Sequence, residues 1–198
     1  MLEDKYKAHL LGVGRAGSFG LMTKDKLNSW ADVRNKKIRV GPILGILETA
    51  KALGANGVPI AFNEVYTALQ QGVVDGQITL NTLVVSQKYY EVVKHWIRQE
   101  LGLGFDKVVI AQSAWNRIKP EQQKLISDLF VEWERTRWFP PVRTQLENDF
   151  KRWQEINGPD SVIALDPAEF GRLMRPTAER LTNEIFGPGS WKQIQDIA

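Results

Sequence analysis

Lys37-Ile38-Arg39-Val40, broken by Gly41-Pro42, is followed by the helix-length run Leu44 to Leu53 and by Val58-Pro59-Ile60-Ala61-Phe62. Asn63-Glu64-Val65-Tyr66-Thr67-Ala68-Leu69-Gln70-Gln71 then leads through Gly72-Val73-Val74 to Asp75-Gly76-Gln77. The first run has the compact apolar character of a strand. The second, rich in alanine and leucine and closed by Gly54, has that of a helix. Asn63 is placed to cap the next helix, with Val65, Leu69 and, through the turn, Val73 on one face and Glu64, Thr67 and Gln71 on others. Asp75-Gly76 reads as a tight turn. Alternation of strand and helix over so short a span predicts a right-handed parallel α/β unit.

Further elements are predicted on either side. His9-Leu-Leu-Gly-Val-Gly14 is a short apolar run ending in glycines, a strand pattern, and Ser29 is an N-cap for a short helical turn. Downstream, Lys107 to Ala111 is a strand, and Ser113 and Lys119-Pro120-Glu121 open helices. Pro120 falls where its missing N–H costs nothing. Leu125, Ile126, Leu129, Phe130 and Trp133 keep helical spacing, which Leu146, Phe150 and Trp153 resume after Pro140-Pro141. Two adjacent prolines predict a kink in this long helix. Ser161 to Leu165 reads as a strand, Asp166-Pro167 as a helix start, Gly187-Pro188-Gly189 as a break and Ser190 as the start of a last helix.

Composition narrows the possible functions. At 198 residues, with 43% apolar and 25% charged residues, the chain suits one large or two small globular domains. The net charge of +3 comes from basic residues interleaved with acids, not from a basic stripe, which argues against nucleic acid. No apolar run approaches the length of a membrane span. The absence of cysteine excludes disulfides and thiolate chemistry, and two histidines without metal spacing, His9 and His95, leave no pattern for a zinc site. The amino terminus lacks the apolar region of a secretory signal. Six of the seven tryptophans lie from Trp96 onward, a distribution that suits a helix seam or core, with one or two of them available to line an apolar ligand site.

Arg39 is the candidate functional residue. Strand alternation points it away from Ile38 and Val40, and it stands at the carboxyl end of a parallel strand, where open α/β sheets bind ligands. A guanidinium there can grip a carboxylate through two parallel hydrogen bonds, although a solvated surface charge fits the same letters. Phe62 is either core or the apolar wall of a cleft. Glu64 and Asp75 are the acids near this cleft, and neither has a histidine or a second carboxylate at a defined spacing for acid–base work. Gly12-Val-Gly-Arg-Ala-Gly17 is a literal G-x-G-x-x-G with Asp32 about twenty residues on, the spacing of a nucleotide-binding oxidoreductase. Its context differs from that motif, because Ser18 to Lys26 lacks helical spacing. The residues therefore favour a binding protein over an enzyme. A nucleotide-binding oxidoreductase and a non-transport interaction module are the alternatives.

The series Ser29-Trp-Ala-Asp-Val-Arg-Asn-Lys-Lys-Ile-Arg-Val40, Ala52-Leu-Gly-Ala55, Phe62 to Gln77 and Lys88-Tyr-Tyr-Glu-Val-Val-Lys94 resembles the extracytoplasmic solute-binding subunit of TRAP transporters, the DctP family. The likeness extends more loosely through Trp115 to Ile126 and on to the final helices. It implies a hinge-closing, periplasmic-binding-protein-like α/β fold, with a mixed or parallel sheet flanked by helices and a long kinked helix. It also implies a periplasmic receptor that needs no cofactor and delivers a small organic acid to TRAP membrane permease subunits. By resemblance, Arg39 binds the ligand carboxylate and Phe62 contributes to the pocket.

Three departures from the family pattern stand out. Asp75-Gly-Gln-Ile-Thr-Leu80 replaces D-G-Q-E-N-P, putting Thr79 at the ligand asparagine's place with Asn81 close by as a polar lip. Ser18-Phe-Gly20 replaces a G-F-R motif, removing a second arginine and pointing to a more apolar acid. Members are longer, with another lobe before this region. On that basis residues 1–104 are expected to form the ligand-binding lobe, 105–140 a remnant first-lobe strand and the start of the long helix, and 141–198 the rest of that helix and the helices returning to the second lobe. A chain with one cleft wall is expected to bind its acid weakly and to self-associate through the inter-lobe surface.

Overall fold

The structure is a computed structural model and describes residues 5–197, with only the backbone described over 138–143. Six strands form one mixed sheet: β1 (Ala8–Thr23), β2 (Lys37–Val40), β3 (Asn56–Pro59), β4 (Gly76–Leu80), β5 (His95–Ala111) and β6 (Val162–Ile163), in the order β3-β2-β4-β1-β5-β6. The helices are α1 (Leu44–Ala52), α2 (Val65–Gln70), α3 (Gln112–Trp115), α4 (Pro120–Trp133), α5 (Phe139–Asn157), α6 (Pro167–Phe186) and α7 (Ser190–Gln195). Strand β2 runs parallel to β3 and β4, and β5 parallel to β6, whereas β1 is antiparallel to both β4 and β5. The α/β unit read from Lys37 to Gln77 is therefore present, and Ile38 and Val40 are buried on one face of it.

The two long strands are where structure and sequence pattern part. His9 to Gly14 predicts a short strand, and Lys107 to Ala111 another. In the fold these are the paired ends of a 16-residue and a 17-residue strand. Three register shifts interrupt the pairing, between Leu10 and Gly12, Arg15 and Gly17, and Phe19 and Leu21. The first two each insert one extra residue on β1, and the third skips Gly20 on β1 against residues 98–101 on β5, so the period-2 signal fades over the long run. Only Phe19–Thr23 of β1 also pairs with β4, which leaves the rest as a two-stranded ribbon extending beyond the sheet. Strand β5 passes without a break through residues 104 and 105.

Two apolar layers sandwich the sheet. On one face Leu21, Ile38, Val40, Ile78 and Ile97 pack with Trp30, α1 and Phe170 of α6. On the other, Met22 and Trp96 pack with Val65 and Leu69 of α2, Val84, Tyr89, Val93, and Phe150 and Trp153 of α5. Trp30, Trp96 and Trp153 are fully buried, as a core role for the tryptophans requires, whereas Trp133 is 43% exposed. Asp32 Oδ2 accepts from the Ser29 N–H at 3.0 Å and fixes the turn at Trp30–Val33. Asp166 caps α6 through Ala168 N at 2.9 Å.

Several boundaries differ from the pattern. Strand β3 stops at Pro59, and Phe62–Glu64 is a 3-10 turn, so Asn63 lies inside it rather than capping α2. The turn after α2 is made by Gly72 at φ +76°, and Asp75-Gly76 already enters β4. That places Val74, not Val73, in the core. Asp75 Oδ2 instead accepts from the Lys37 N–H at 2.8 Å, which pins the start of β2. Pro140 and Pro141 lie in the first turn of α5, after a π-helical stretch at Glu134–Trp138 separates it from α4. The helical run from residue 120 to 157 is continuous but changes from α to π and back just before the prolines, the irregularity that their lost donors predict. Leu125 and Leu129 of α4 are more than half exposed despite their helical spacing.

One buried charge makes a stability prediction. Asp149 of α5 is 5% exposed; Gln145 donates to its Oδ1 at 2.9 Å, and its sealed Oδ2 has no partner among the described residues. Burial raises its pKa above the ordinary aspartate range. The sign follows: a folded-state pKa above the unfolded value means that the protonated form favours folding, a contribution present at low pH and lost as pH rises through the folded pKa. Asp149→Asn is therefore expected to raise Tm by a few degrees at pH 7, with the gain closing as pH falls towards the ordinary aspartate range. Differential scanning calorimetry across pH checks this; a pH-independent difference or a loss at neutral pH contradicts it.

Candidate functional site

One row of residues crosses the sheet on the Trp96 face. Val58, Arg39, Gln77, Met22, Trp96 and Val162 are successive register partners on β3, β2, β4, β1, β5 and β6. Four of these six pack in the apolar layer. Arg39 and Gln77 are neighbours in the middle of it, at 4% and 0% exposure. Arg39 is consequently not a solvated surface charge. Alternation along β2 sends it to the face opposite Ile38 and Val40, as the sequence predicts.

A buried guanidinium must be held by acceptors. Arg39 Nε and Nη2 donate to the Ile60 carbonyl at 3.0 and 2.9 Å. Ile60 follows the end of β3, so the side chain leans towards the carboxyl rim of the parallel strands. A β-carbon on Gly41 would lie 4.0 Å from Nη2, an ordinary contact, so that position does not crowd the guanidinium. The Nε–Nη2 fork is thereby occupied by the backbone. Nη1 makes no hydrogen bond to a described residue and is not among the sealed polar atoms, so the Nη1–Nη2 edge opens outward. Burial lowers the Arg39 pKa, while a guanidinium stays cationic near neutrality.

The other predicted residues fall at different distances from this edge. Phe62 is 46% exposed, two residues beyond the carbonyl that Arg39 grips, which leaves its ring at the rim rather than in the core. Thr79 is 4% exposed on the same face of β4 as Gln77, one step nearer the carboxyl end, and its hydroxyl makes no hydrogen bond to a described residue. Asn81 is different. Its Oδ1 accepts from Trp96 Nε1 at 3.0 Å, and its Nδ2 donates to Ser18 Oγ at 3.0 Å. Gly20 makes room for this clamp, since a β-carbon there would come within 2.0 Å of Asn81 Oδ1. The amide is committed to the β1–β5 side of the sheet, whereas Arg39, Phe62 and Thr79 share the β2–β4 end.

Two residues outside the predicted set belong to the same place. Gln77 is sealed, and neither Nε2 nor Oε1 has a partner among the described residues. A buried amide without partners beside an arginine is uncommon in folded proteins. Tyr89, 2% exposed, packs in the layer containing Ile60, and its phenol and the Arg39 charge influence each other. The Asp-Gly-Gln motif and the Lys88-Tyr89 pair carry these residues in the sequence, but only the register sets Gln77 beside Arg39.

Other candidate chemistry disperses. Gly12 to Gly17 runs inside β1, paired to β5, with no helix after it; Phe130 fills the space a β-carbon on Gly12 would need, and Gly17 sits at a bulge with φ +122°. No strand-to-helix phosphate cradle forms there. His95 is partly buried, and burial lowers its pKa. Among the described residues no cluster of three or more His, Asp or Glu side chains is placed to hold a metal ion. Surface cavities of about 210 Å³ by Trp30, Arg34 and Glu169, and of about 160 Å³ by Asn81, Arg98 and Glu147, do not include Arg39.

Comparison with known proteins agrees with this architecture. Residues 2–175 match the family described as bacterial extracellular solute-binding protein, family 7, or DctP. A solute-binding protein of Roseobacter denitrificans is 28% identical over 177 residues, covering 85% of this chain and 54% of the relative. A TRAP periplasmic solute-binding protein of Desulfovibrio salexigens with bound orotic acid superposes with a TM-score of 0.80 at 26% identity, over 98% of this chain and 62% of that one. The periplasmic ectoine-binding protein of the TeaABC TRAP transporter of Halomonas elongata shares the fold, with a TM-score of 0.83 at 23% identity over 96% and 63% of the two chains. This chain spans about half the length of the curated relatives it matches. On the breadth of the family match, it belongs to the DctP family of bacterial extracellular solute-binding proteins.

Proposed function

We propose that this chain is the solute-binding receptor of a TRAP-type secondary transporter, or part of one, working in the periplasm. It holds the carboxylate of a small organic acid at Arg39 and passes it unchanged to membrane permease subunits. The observation that carries this reading is a guanidinium 4% exposed whose one fork is fixed by the Ile60 carbonyl and whose other edge stays open at the sheet's carboxyl rim. Fixing a cation in advance lowers the ordering cost of binding an anion. Phe62 supplies an apolar wall and Thr79 a polar contact. We assign Asn81, with its amide committed to Trp96 and Ser18, to holding β1 and β5 under the site. The acids carried by relatives, orotic acid in one and L-galactonate in another, set the ligand class to test.

The ribbon fits a second role in assembly. Leu103, Phe105 and Val109 of β5 are 48%, 55% and 48% exposed, with Leu10 and Val13 of β1 beside them. Phe105 and Val109 fall within residues 105–140, the region expected to hold a remnant first-lobe strand, and Leu103, Leu10 and Val13 lie outside it. Exposed apolar area of this kind favours self-association. The wild-type chain is expected to show a concentration-dependent increase in sedimentation coefficient that Phe105→Ser reduces; a monomer at every concentration contradicts this.

Binding is tested by NMR titration of the chain with orotate, D-glucuronate and L-galactonate into the millimolar range. One cleft wall leaves the outer side of the ligand in water, so weak but saturable binding is expected. Arg39→Ala should abolish saturation, and Arg39→Lys should keep only part of it, because an ammonium lacks the planar fork that can fix one edge on Ile60 and present the other to a carboxylate. Saturable binding that survives Arg39→Ala unchanged overturns the assignment.

A further inference from the structure

Arg39 reaches the carboxyl rim between two loops whose side chains are apolar. Gly41-Pro42-Ile43-Leu44-Gly45 leaves β2 and enters α1, and Ile60-Ala61-Phe62 leaves β3. Both come up to the guanidinium. Ile60 accepts its two hydrogen bonds, and a β-carbon on Gly41 would lie 4.0 Å from Nη2. The Ile43 N–H donates to the Gly41 carbonyl at 2.8 Å, a turn so tight that it folds Ile43 back beside that contact.

Three large apolar side chains stand in water on these loops. Ile43, Leu44 and Phe62 are 48%, 54% and 46% exposed. A helical side chain leans towards the amino end of its helix, so Leu44, first in α1, is directed past the end of the sheet rather than down into the core. The buried positions of α1 begin at Ile46. Apolar residues exposed singly need no explanation, but three gathered at the ends of two adjacent strands, beside a buried cation, do. The polar side chains of the same loops narrow the ligand further. Residues 41–45 and 60–64 hold no lysine or arginine, so a second carboxylate finds no cation on them, and their one acid, Glu64, is exposed to repel it. Ligand hydroxyls find no side-chain partner on these loops before Asn63, and the Asn81 amide is already engaged by Trp96 and Ser18.

We propose that the seat selects a monocarboxylate with an apolar body, aryl or aliphatic, over sugar acids and dicarboxylates: Arg39 takes the carboxylate, and Ile43, Leu44 and Phe62 cover the hydrocarbon. The inference rests on the receptor reading above and names its substrate class. Selection works in both directions. Apolar ligand surface gains by leaving water against these side chains, whereas a hydroxylated body gives up hydration there without new partners.

NMR titration of the wild-type chain with butanoate, hexanoate, 3-phenylpropanoate, D-glucuronate and succinate tests the proposal, with 3-phenylpropanol as the uncharged analogue. Full burial of a methylene is worth about fourfold in affinity, so about twofold per methylene is expected from butanoate to hexanoate while the ligand's outer side stays in water. On the same basis 3-phenylpropanoate should bind roughly tenfold more tightly than D-glucuronate or succinate, and 3-phenylpropanol should not saturate. Ile43→Ser and Leu44→Ser change exposed positions and should keep Tm within about 2 °C, yet each should weaken 3-phenylpropanoate by about threefold to tenfold. D-glucuronate or succinate bound as tightly as 3-phenylpropanoate, or 3-phenylpropanoate affinity unmoved by both serine variants, overturns this inference and leaves the receptor reading standing. Saturation by 3-phenylpropanol equal to that by the acid overturns both, as does the absence of saturable binding of any acid. The ligand series on the wild-type chain decides the matter even if a variant does not fold.

Discussion

A guanidinium inside an apolar layer is tolerated only where the fold supplies acceptors, and here the acceptor is a single backbone carbonyl. The two bonds from Arg39 to Ile60 fix the side chain's direction and spend one fork of the group. What remains is a charged edge facing outward with little freedom left to lose. Stability and recognition are joined at this point. The strand order brings β3's end beside β2, and Val58 and Met22 flank Arg39 and Gln77 along the row. An exposed arginine would bind the same carboxylate with far less discrimination, because water would screen the charge and the side chain would lose rotamer entropy on binding.

The same row carries a cost that suits a binding site better than a core. Gln77 is fully buried with both amide atoms unpaired among the described residues; off the row, on α5, Asp149 is a buried carboxyl with one oxygen unpaired among them. Beside them, Asn81 shows what a satisfied polar group looks like in this fold: two good hydrogen bonds, and a glycine opposite to admit it. The contrast separates Asn81, whose amide serves the sheet, from Arg39 and Thr79, which keep a polar group without a hydrogen bond to a described residue. Loss of the second family arginine, replaced by the Ser18-Phe19-Gly20 stretch, fits this division, because Ser18 and Gly20 here accommodate the Asn81 clamp.

Much of this was legible in the sequence, for local reasons. Lys37-Ile38-Arg39-Val40 is short and unbroken, so alternation placed Arg39 on the correct face, and Gly54, Pro120 and Asp166 marked helix ends where they act. The failures share a different cause. Bulges in β1 and β5 erase the alternation that would have revealed two long strands. The turn after α2 was assigned to Asp75-Gly76 because those residues are common turn formers, yet Gly72 takes the positive φ and Asp75 serves β2. Tyr89 was hidden because it lies remote in sequence from Arg39, and only packing brings them to one layer. The G-x-G-x-x-G match misled for the opposite reason: its letters are local, but the helix it requires never follows.

The central claim is that the Nη1–Nη2 edge of Arg39 is the carboxylate seat. A crystal structure of this chain grown or soaked with orotate tests it most directly. The account predicts a carboxylate about 3 Å from both Nη1 and Nη2, with the Ile60 bonds intact beneath it. Orotate bound elsewhere, with the Arg39 edge facing only solvent, contradicts it.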